Sequence, residues 1–89
     1  MTLTQLKIFA AVAESGHVTR AAAALGITQS AASAAIAALE NLYEVKLFNR
    51  VGRSVELSEA GQIFLVEARA VLDRARLAQR TLRTLGGSA

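Results

Sequence analysis

Phe64, Ala68, Val71, Ala75, Ala78, Leu82 and Leu85 recur at alternating four- and three-residue steps without a miss. That is the spacing of an apolar seam along one side of a long helix. From Ser58 to Leu85 such a helix spans roughly 42 Å at 1.5 Å per residue. The rest of an 89-residue chain is too small to cover a rod of that length. These seven residues are therefore expected to form a dimer interface with a second copy. Packing against another domain is the alternative.

Support from a partner also fits the size. A single small domain buries a modest share of its surface and is marginal alone. The chain has no Cys and one His, His17, so neither a disulfide nor a thiolate metal site is available. No metal and no cofactor are expected. No apolar run approaches the roughly 20 residues that a bilayer needs, and no signal peptide is legible at the N-terminus. The expectation is a soluble cytoplasmic protein with no membrane partner.

Most of the chain reads as helix. Leu3, Leu6, Phe9 and Ala13, with Val12 beside them, give a first helix that Thr2 or Thr4 can cap and Gly16 can stop. Thr19 is expected to cap a short second helix over Arg20 to Leu25, closed by Gly26 in a left-handed turn. Thr28 caps a third helix from Gln29. Its apolar stripe is Ala32, Ile36, Leu39 and Tyr43, and its opposite face carries Ser30, Ser33, Ala34, Ala37 and Asn41. After Tyr43 the period changes to two. Val45 and Leu47, then Val55 and Leu57, flank Val51-Gly52-Arg53 and read as a two-stranded ribbon with a basic tip. Ser58 caps the long fourth helix, with Glu59 at its positive end.

The fold class that follows is mainly α, a winged helix-turn-helix with a two-stranded wing and a long C-terminal dimerisation helix. Residues 1–57 form the head, 58–85 the coiled-coil helix and 86–89 a linker or tail.

The formal net charge is +3, which favours an acidic partner, with nucleic acid first. Between Val45 and Val55 the only charges are Lys46, Arg50 and Arg53, and between Ser15 and Leu39 the only one is Arg20. A third helix presented end-on fits the major groove. Gln29 can pair bidentately with adenine, and Ser33, one turn on, can meet either kind of base edge. Free amides at the Thr19 and Thr28 helix starts can hold phosphates. Arg53, at the tip, is the better placed of the wing arginines for the minor groove. Arg50 can equally be structural, pairing with a helix terminus or a carboxylate such as Glu40. The five arginines from Arg69 to Arg83 read as a solvated flank of the coiled coil, and His17 as a turn residue.

Several motifs stand in order: Thr19-Arg-Ala-Ala-Ala-Ala-Leu-Gly-Ile-Thr-Gln-Ser-Ala-Ala-Ser33, Leu39-Glu40, Val45-Lys-Leu-Phe-Asn-Arg50 and Leu57-Ser-Glu-Ala-Gly61. The whole resembles the N-terminal domain of LysR-type transcriptional regulators, from Leu3 to about Leu85. The resemblance implies a bacterial regulator, nucleoid-associated in the cytoplasm, that binds promoter DNA as a homodimer through its long helices. It also implies a C-terminal effector-binding domain, absent from these residues, through which alone a small molecule would act. On this reading the DNA-binding residues are Thr19, Arg20, Thr28, Gln29, Ser30, Ser33, Ala34, Arg50 and Arg53.

Three positions depart from the family pattern. Ser30 stands where a Pro is usual, Ala34 where a long polar or basic side chain is usual, and Glu44 where a Gly is usual. Ala34 removes a polar base contact and offers a methyl to a thymine methyl instead. A bland alternative keeps the Ala-rich helix as a bundle helix, with Gln29 and Ser33 bonding locally to backbone. A coiled-coil adaptor that binds another protein is the competing function. No nucleophile–base pair, carboxylate dyad or phosphate loop is present, so an enzyme is not expected.

Overall fold

The structure, a computed structural model, describes residues 1–87. Four helices and one hairpin follow in order: α1 (Leu3–Ser15), α2 (Val18–Leu25), α3 (Gln29–Tyr43), β1 (Phe48–Val51), β2 (Ser54–Leu57) and α4 (Glu59–Gly86).

Each helix start has a local cause. The Thr2 side chain accepts the Gln5 N–H, and Gln5 Oε1 accepts the Thr2 N–H, a reciprocal capping box. The Thr28 hydroxyl accepts the Ala31 N–H at 3.1 Å. The Ser58 hydroxyl accepts the Gly61 N–H at 2.9 Å and donates to the Lys46 carbonyl at 2.6 Å. α2 departs from expectation. Thr19 does not cap it; the helix starts at Val18, and His17 is the N-cap without a side-chain bond. The cause lies upstream, where the Ser15 hydroxyl accepts the His17 N–H and donates to the His17 carbonyl. The turn is closed there, two residues before Thr19.

Phe9 is fully buried at the centre of the core, beside Leu6, Val12, Ala21, Ala32 and Leu39. Its ring meets Phe48 at 5.3 Å and Phe64 at 4.9 Å, both tilted. One α1 side chain thus joins the wing and α4 to the three-helix head. Truncating such a residue costs about 3–5 kcal/mol.

The expected ribbon is shorter than its apolar alternation suggested. Val45 and Leu47 lie outside the strands. Leu47 is buried, but its N–H goes to the Glu40 side chain and not to a β-ladder. Pairing runs from Phe48↔Leu57 to Val51↔Ser54, so Gly52 and Arg53 are the two-residue loop. Gly52 has φ 60° and Arg53 does not have positive φ, the pattern of a type II′ turn. α3 ends with Tyr43 exposed and Glu44 at φ 53°, the only non-Gly residue with positive φ among those described. Tyr43 therefore does not extend the buried stripe of Ala32, Ile36 and Leu39.

The seam on α4 splits. Ala68 is 1 % exposed and lies in the chain's own core, and Phe64 is half-buried against Phe9. Ala68 has no surface free for a second copy, whereas Phe64 keeps part of its ring open in an apolar groove beside Tyr43 and Ile63. Leu72, not Val71, continues this inward face, and Ala75 is half-buried beyond it. The seam was expected to be uncovered throughout because the head was judged too small. In fact the first four turns of α4 form one wall of the head, packing on α1 and β2. Val71, Ala78, Leu82 and Leu85 remain exposed. The long dimension of the molecule, 52 Å against 25 and 20 Å, is that of α4 projecting past the head. Gly86 belongs to the helix, not to the tail, and Gly87 is its cap. The remainder of the expected tail, 88–89, lies outside the described residues.

Candidate nucleic-acid interface

The chain axis turns by 109° between α2 and α3, within the range of a helix-turn-helix. Gly26, at φ 71°, makes that turn, and the half-buried Ile27 packs into the core at the corner. The buried Ala21 and Ala22 let α3 approach α2 closely. Packing Ala32, Ile36 and Leu39 inward leaves Gln29, Ser30, Ala34, Ala37 and Asn41 exposed, with Ser33 half-buried at the edge. Gln29 Nε2 donates to Ser33 Oγ at 3.3 Å, and the Thr28 and Ser30 hydroxyls are 3.3 Å apart. The polar groups at the start of α3 thus form two side-chain pairs, Thr28–Ser30 and Gln29–Ser33.

The wing is fastened to the helix-turn-helix by one backbone bond. Val55 donates its N–H to the Gly16 carbonyl at 2.8 Å. This brings the wing beside the start of α2 and encloses a cleft of about 510 Å³. Thr19, Arg20, Gln29, Arg50 and Arg53 all line it, together with His17 and Gly52. Three arginines, one from α2 and two from the wing, therefore line one cleft together with the first residues of α2. No carboxylate lines the cleft. Cations and free amide dipoles on one concave surface attract an anion.

The pair with Glu40, the alternative structural role of Arg50, is not made among the described residues. The Glu40 carboxylate is held by the Leu47 and Phe48 amides, and Arg50 lines the cleft instead. Five of the nine residues proposed for DNA binding thus meet in one cleft. Thr28, Ser30, Ser33 and Ala34 lie on α3 outside it. His17 was read only as a turn residue. Its neighbour Gly16 and the small-residue run after it were the signal that a helix starts there, against the wing. On α4, Arg69 pairs with Glu14 at 3.7 Å and Arg76 with Asp73 at 2.7 Å, both exposed. Neither belongs to the cleft. Among the described residues no group of His, Cys, Asp and Glu could hold a metal ion.

A 109° helix pair with a docked hairpin and a cationic cleft defines a winged helix-turn-helix. Residues 3–62 match the lysR family of bacterial regulatory helix-turn-helix proteins, and the chain belongs to that family. It is 44 % identical over 87 residues to an uncharacterized HTH-type transcriptional regulator of Azotobacter vinelandii, from the ibpB-leuC intergenic region. It is 39 % identical over 88 residues to the uncharacterized regulator YeiE of Escherichia coli K12. The chain spans 60 % of the first relative's length and 30 % of the second's. Among solved structures, the CbnR DNA-binding domain in complex with DNA superposes with a TM-score of 0.88 at 38 % identity. That match covers 96 % of this chain and 98 % of that one. The BenM DNA-binding domain on benA site 1 DNA gives 0.89 at 29 % identity, covering 97 % and 100 %.

Proposed function

We propose that this chain is the DNA-binding domain of a LysR-type transcriptional regulator and that it binds promoter duplexes as a homodimer. The observation that carries this reading is that Arg20, Arg50 and Arg53 line one cleft with the first residues of α2, beside the exposed face of α3. The DNA-bound CbnR and BenM domains, which this chain resembles over nearly its full length, support it.

α3 enters the major groove with Gln29, Ser30, Ser33 and Ala34 toward the bases. Thr19, Thr28 and Arg20 hold phosphates at the two helix starts. Arg50 and Arg53 track the backbone, with the wing tip in the adjacent minor groove. Dimerisation uses the apolar residues of α4 that the head leaves open, Val71, Ala78, Leu82 and Leu85, joined by Ile63, Val66 and Leu77. Such a protein acts on the nucleoid in the cytoplasm and has no catalytic task. A small-molecule effector would act through a separate domain of the longer regulator.

Selection of duplexes from a random library tests the reading. Recovery of paired half-sites, bound in a salt-dependent manner, is the expected result. Replacing Gln29 with Ala should cost about 1–3 kcal/mol and relax specificity within the half-site. Equal weak binding to any polyanion, at low salt only, would favour the adaptor alternative.

A further inference from the structure

We propose that His17 is a fourth cationic anchor of the cleft, holding a DNA phosphate through its protonated imidazole, so that duplex binding takes up a proton. The proposal rests on the DNA-binding reading above and adds to it a residue and a pH dependence.

The backbone of His17 is fixed on both sides. Its N–H donates to the Ser15 hydroxyl at 3.1 Å, and its carbonyl accepts that hydroxyl at 2.9 Å and the Ala21 N–H at 3.0 Å. The imidazole takes no part in this and makes no cap bond to α2. The first amides of the helix therefore stay open to an anion. Beside them His17 stands half-buried in the wall of the cleft.

What faces the ring decides when it is charged. Arg20 comes from α2, Gln29 from α3, and Arg50 and Arg53 from the wing. Two carboxylates come near this region without lining it. Glu14 on α1 is paired with Arg69 at 3.7 Å. Glu56 stands opposite Asn49, one residue along from the Arg50–Val55 pair that lines the cleft. Strand alternation turns it to the other face of the hairpin. A carboxylate beside the ring would favour a proton there with or without DNA. Here the anion that does so has to arrive with the duplex.

The neutral ring can donate one N–H without charge. The protonated ring donates from both nitrogens and adds a full positive charge, and charge-assisted bonds to phosphate are the stronger ones. Linkage then gives the sign. A duplex that favours the protonated form binds more tightly as the pH falls through the range in which histidine takes up a proton. The gain is lost as the pH rises through it. Histidine is the side chain that ordinarily changes charge between about pH 5 and 8, and this chain has one.

The test is an anisotropy titration of the 89-residue chain on a duplex recovered from the random library. It is run at about pH 5.5 and about pH 8, each across a salt series. Binding should be about threefold to tenfold tighter per protomer at the lower pH, the worth of one partly exposed charge-assisted bond. The slope of the logarithm of the binding constant on that of salt should be steeper there by about 2, for two added cations in the dimer. His17→Gln should bind at both pH values as the parent chain does at pH 8. His17→Arg should bind at both as the parent does at pH 5.5, with the steeper slope. Because the contact is to phosphate, a duplex of scrambled sequence should show the same pH difference.

The parent chain alone decides the first point, with no substitution that could disturb folding. Equal affinity and equal slope at the two pH values overturn the inference and leave DNA binding standing. So does a pH dependence that persists in His17→Gln, or one confined to the selected duplex. Failure to bind any duplex at either pH overturns the underlying reading itself.

Discussion

The Glu40 carboxylate accepts the Leu47 backbone N–H at 2.7 Å. It also reaches the Phe48 N–H at 3.4 Å. One side chain near the end of α3 thus replaces the ladder partner that the segment before β1 lacks, and it fixes where the wing leaves the head. Glu40→Ala strands both part-buried amides and should cost about 1–3 kcal/mol. Each kcal/mol corresponds to a melting-temperature loss of about 4–8 °C at this size. Glu40→Gln keeps an acceptor and should lose clearly less. Thermal unfolding of the two variants side by side checks the order.

Glu44 closes α3 with a left-handed backbone that lets its own N–H and that of Val45 reach the Glu40 carbonyl, a conformation glycine adopts without strain. Its φ is 53°, among the described residues its side chain makes no hydrogen bond or ion pair, and a Cβ in that region costs about 1–2 kcal/mol. Glycine recovers this, less its greater freedom in the unfolded chain, about 0.4–1 kcal/mol. Glu44→Gly should therefore stabilise by about 0.5–1 kcal/mol in chemical denaturation, with no change in DNA affinity.

The cationic cleft makes a quantitative forecast. Arg20, Arg50 and Arg53 from each of two protomers neutralise about six phosphates, so the logarithm of the binding constant should fall with that of salt at a slope of about −5. Arg53→Ala, which removes two of the six, should make that slope shallower by about 2. Anisotropy titrations across a salt series measure both. An unchanged slope would place Arg53 off the DNA.

The divided seam separates two classes of substitution on one helix. Leu82 and Leu85 are 70 % and 73 % exposed. The double change Leu82→Arg, Leu85→Arg should abolish self-association in sedimentation while leaving helix content and head stability intact. Ala68→Arg, by contrast, forces a charge into the core and should unfold the head. Dimers that persist in the first variant would move the interface toward Ile63 and Val66.

How far the residues themselves disclosed this architecture depends on where each feature's cause lies. α1, α3 and the start of α4 were legible because Thr2, Thr28 and Ser58 act within three residues of themselves. The start of α2 was misplaced because Thr19 looks like a cap, whereas the Ser15–His17 bonds had already closed the turn. Val45 and Leu47 mimicked a strand because they alternate apolar and polar, but what Leu47 packs against comes from elsewhere in the chain. The close crossing there was not foreseen. A Cβ at Gly61 would overlap the Leu47 carbonyl oxygen and press on Leu57, a demand that no local pattern announces. The seam misled for a related reason: spacing marks an apolar face without saying whether the cover is the chain itself or a partner. The residues that line the cleft stand out in the sequence by type and motif order. Their meeting in one cleft depends on the Val55–Gly16 bond, which joins segments far apart in the chain.

α4 is at once a wall of the head and the arm beyond it, so the two cannot move independently. Rotating the head by 5° about Ala68 displaces Leu85 by about 2 Å over the roughly 26 Å of helix between them. That is more than half the step between neighbouring base pairs, about 3.4 Å. Small repacking around Phe64 and Ala68 is thereby magnified into a change of reach on the scale at which a duplex is ruled.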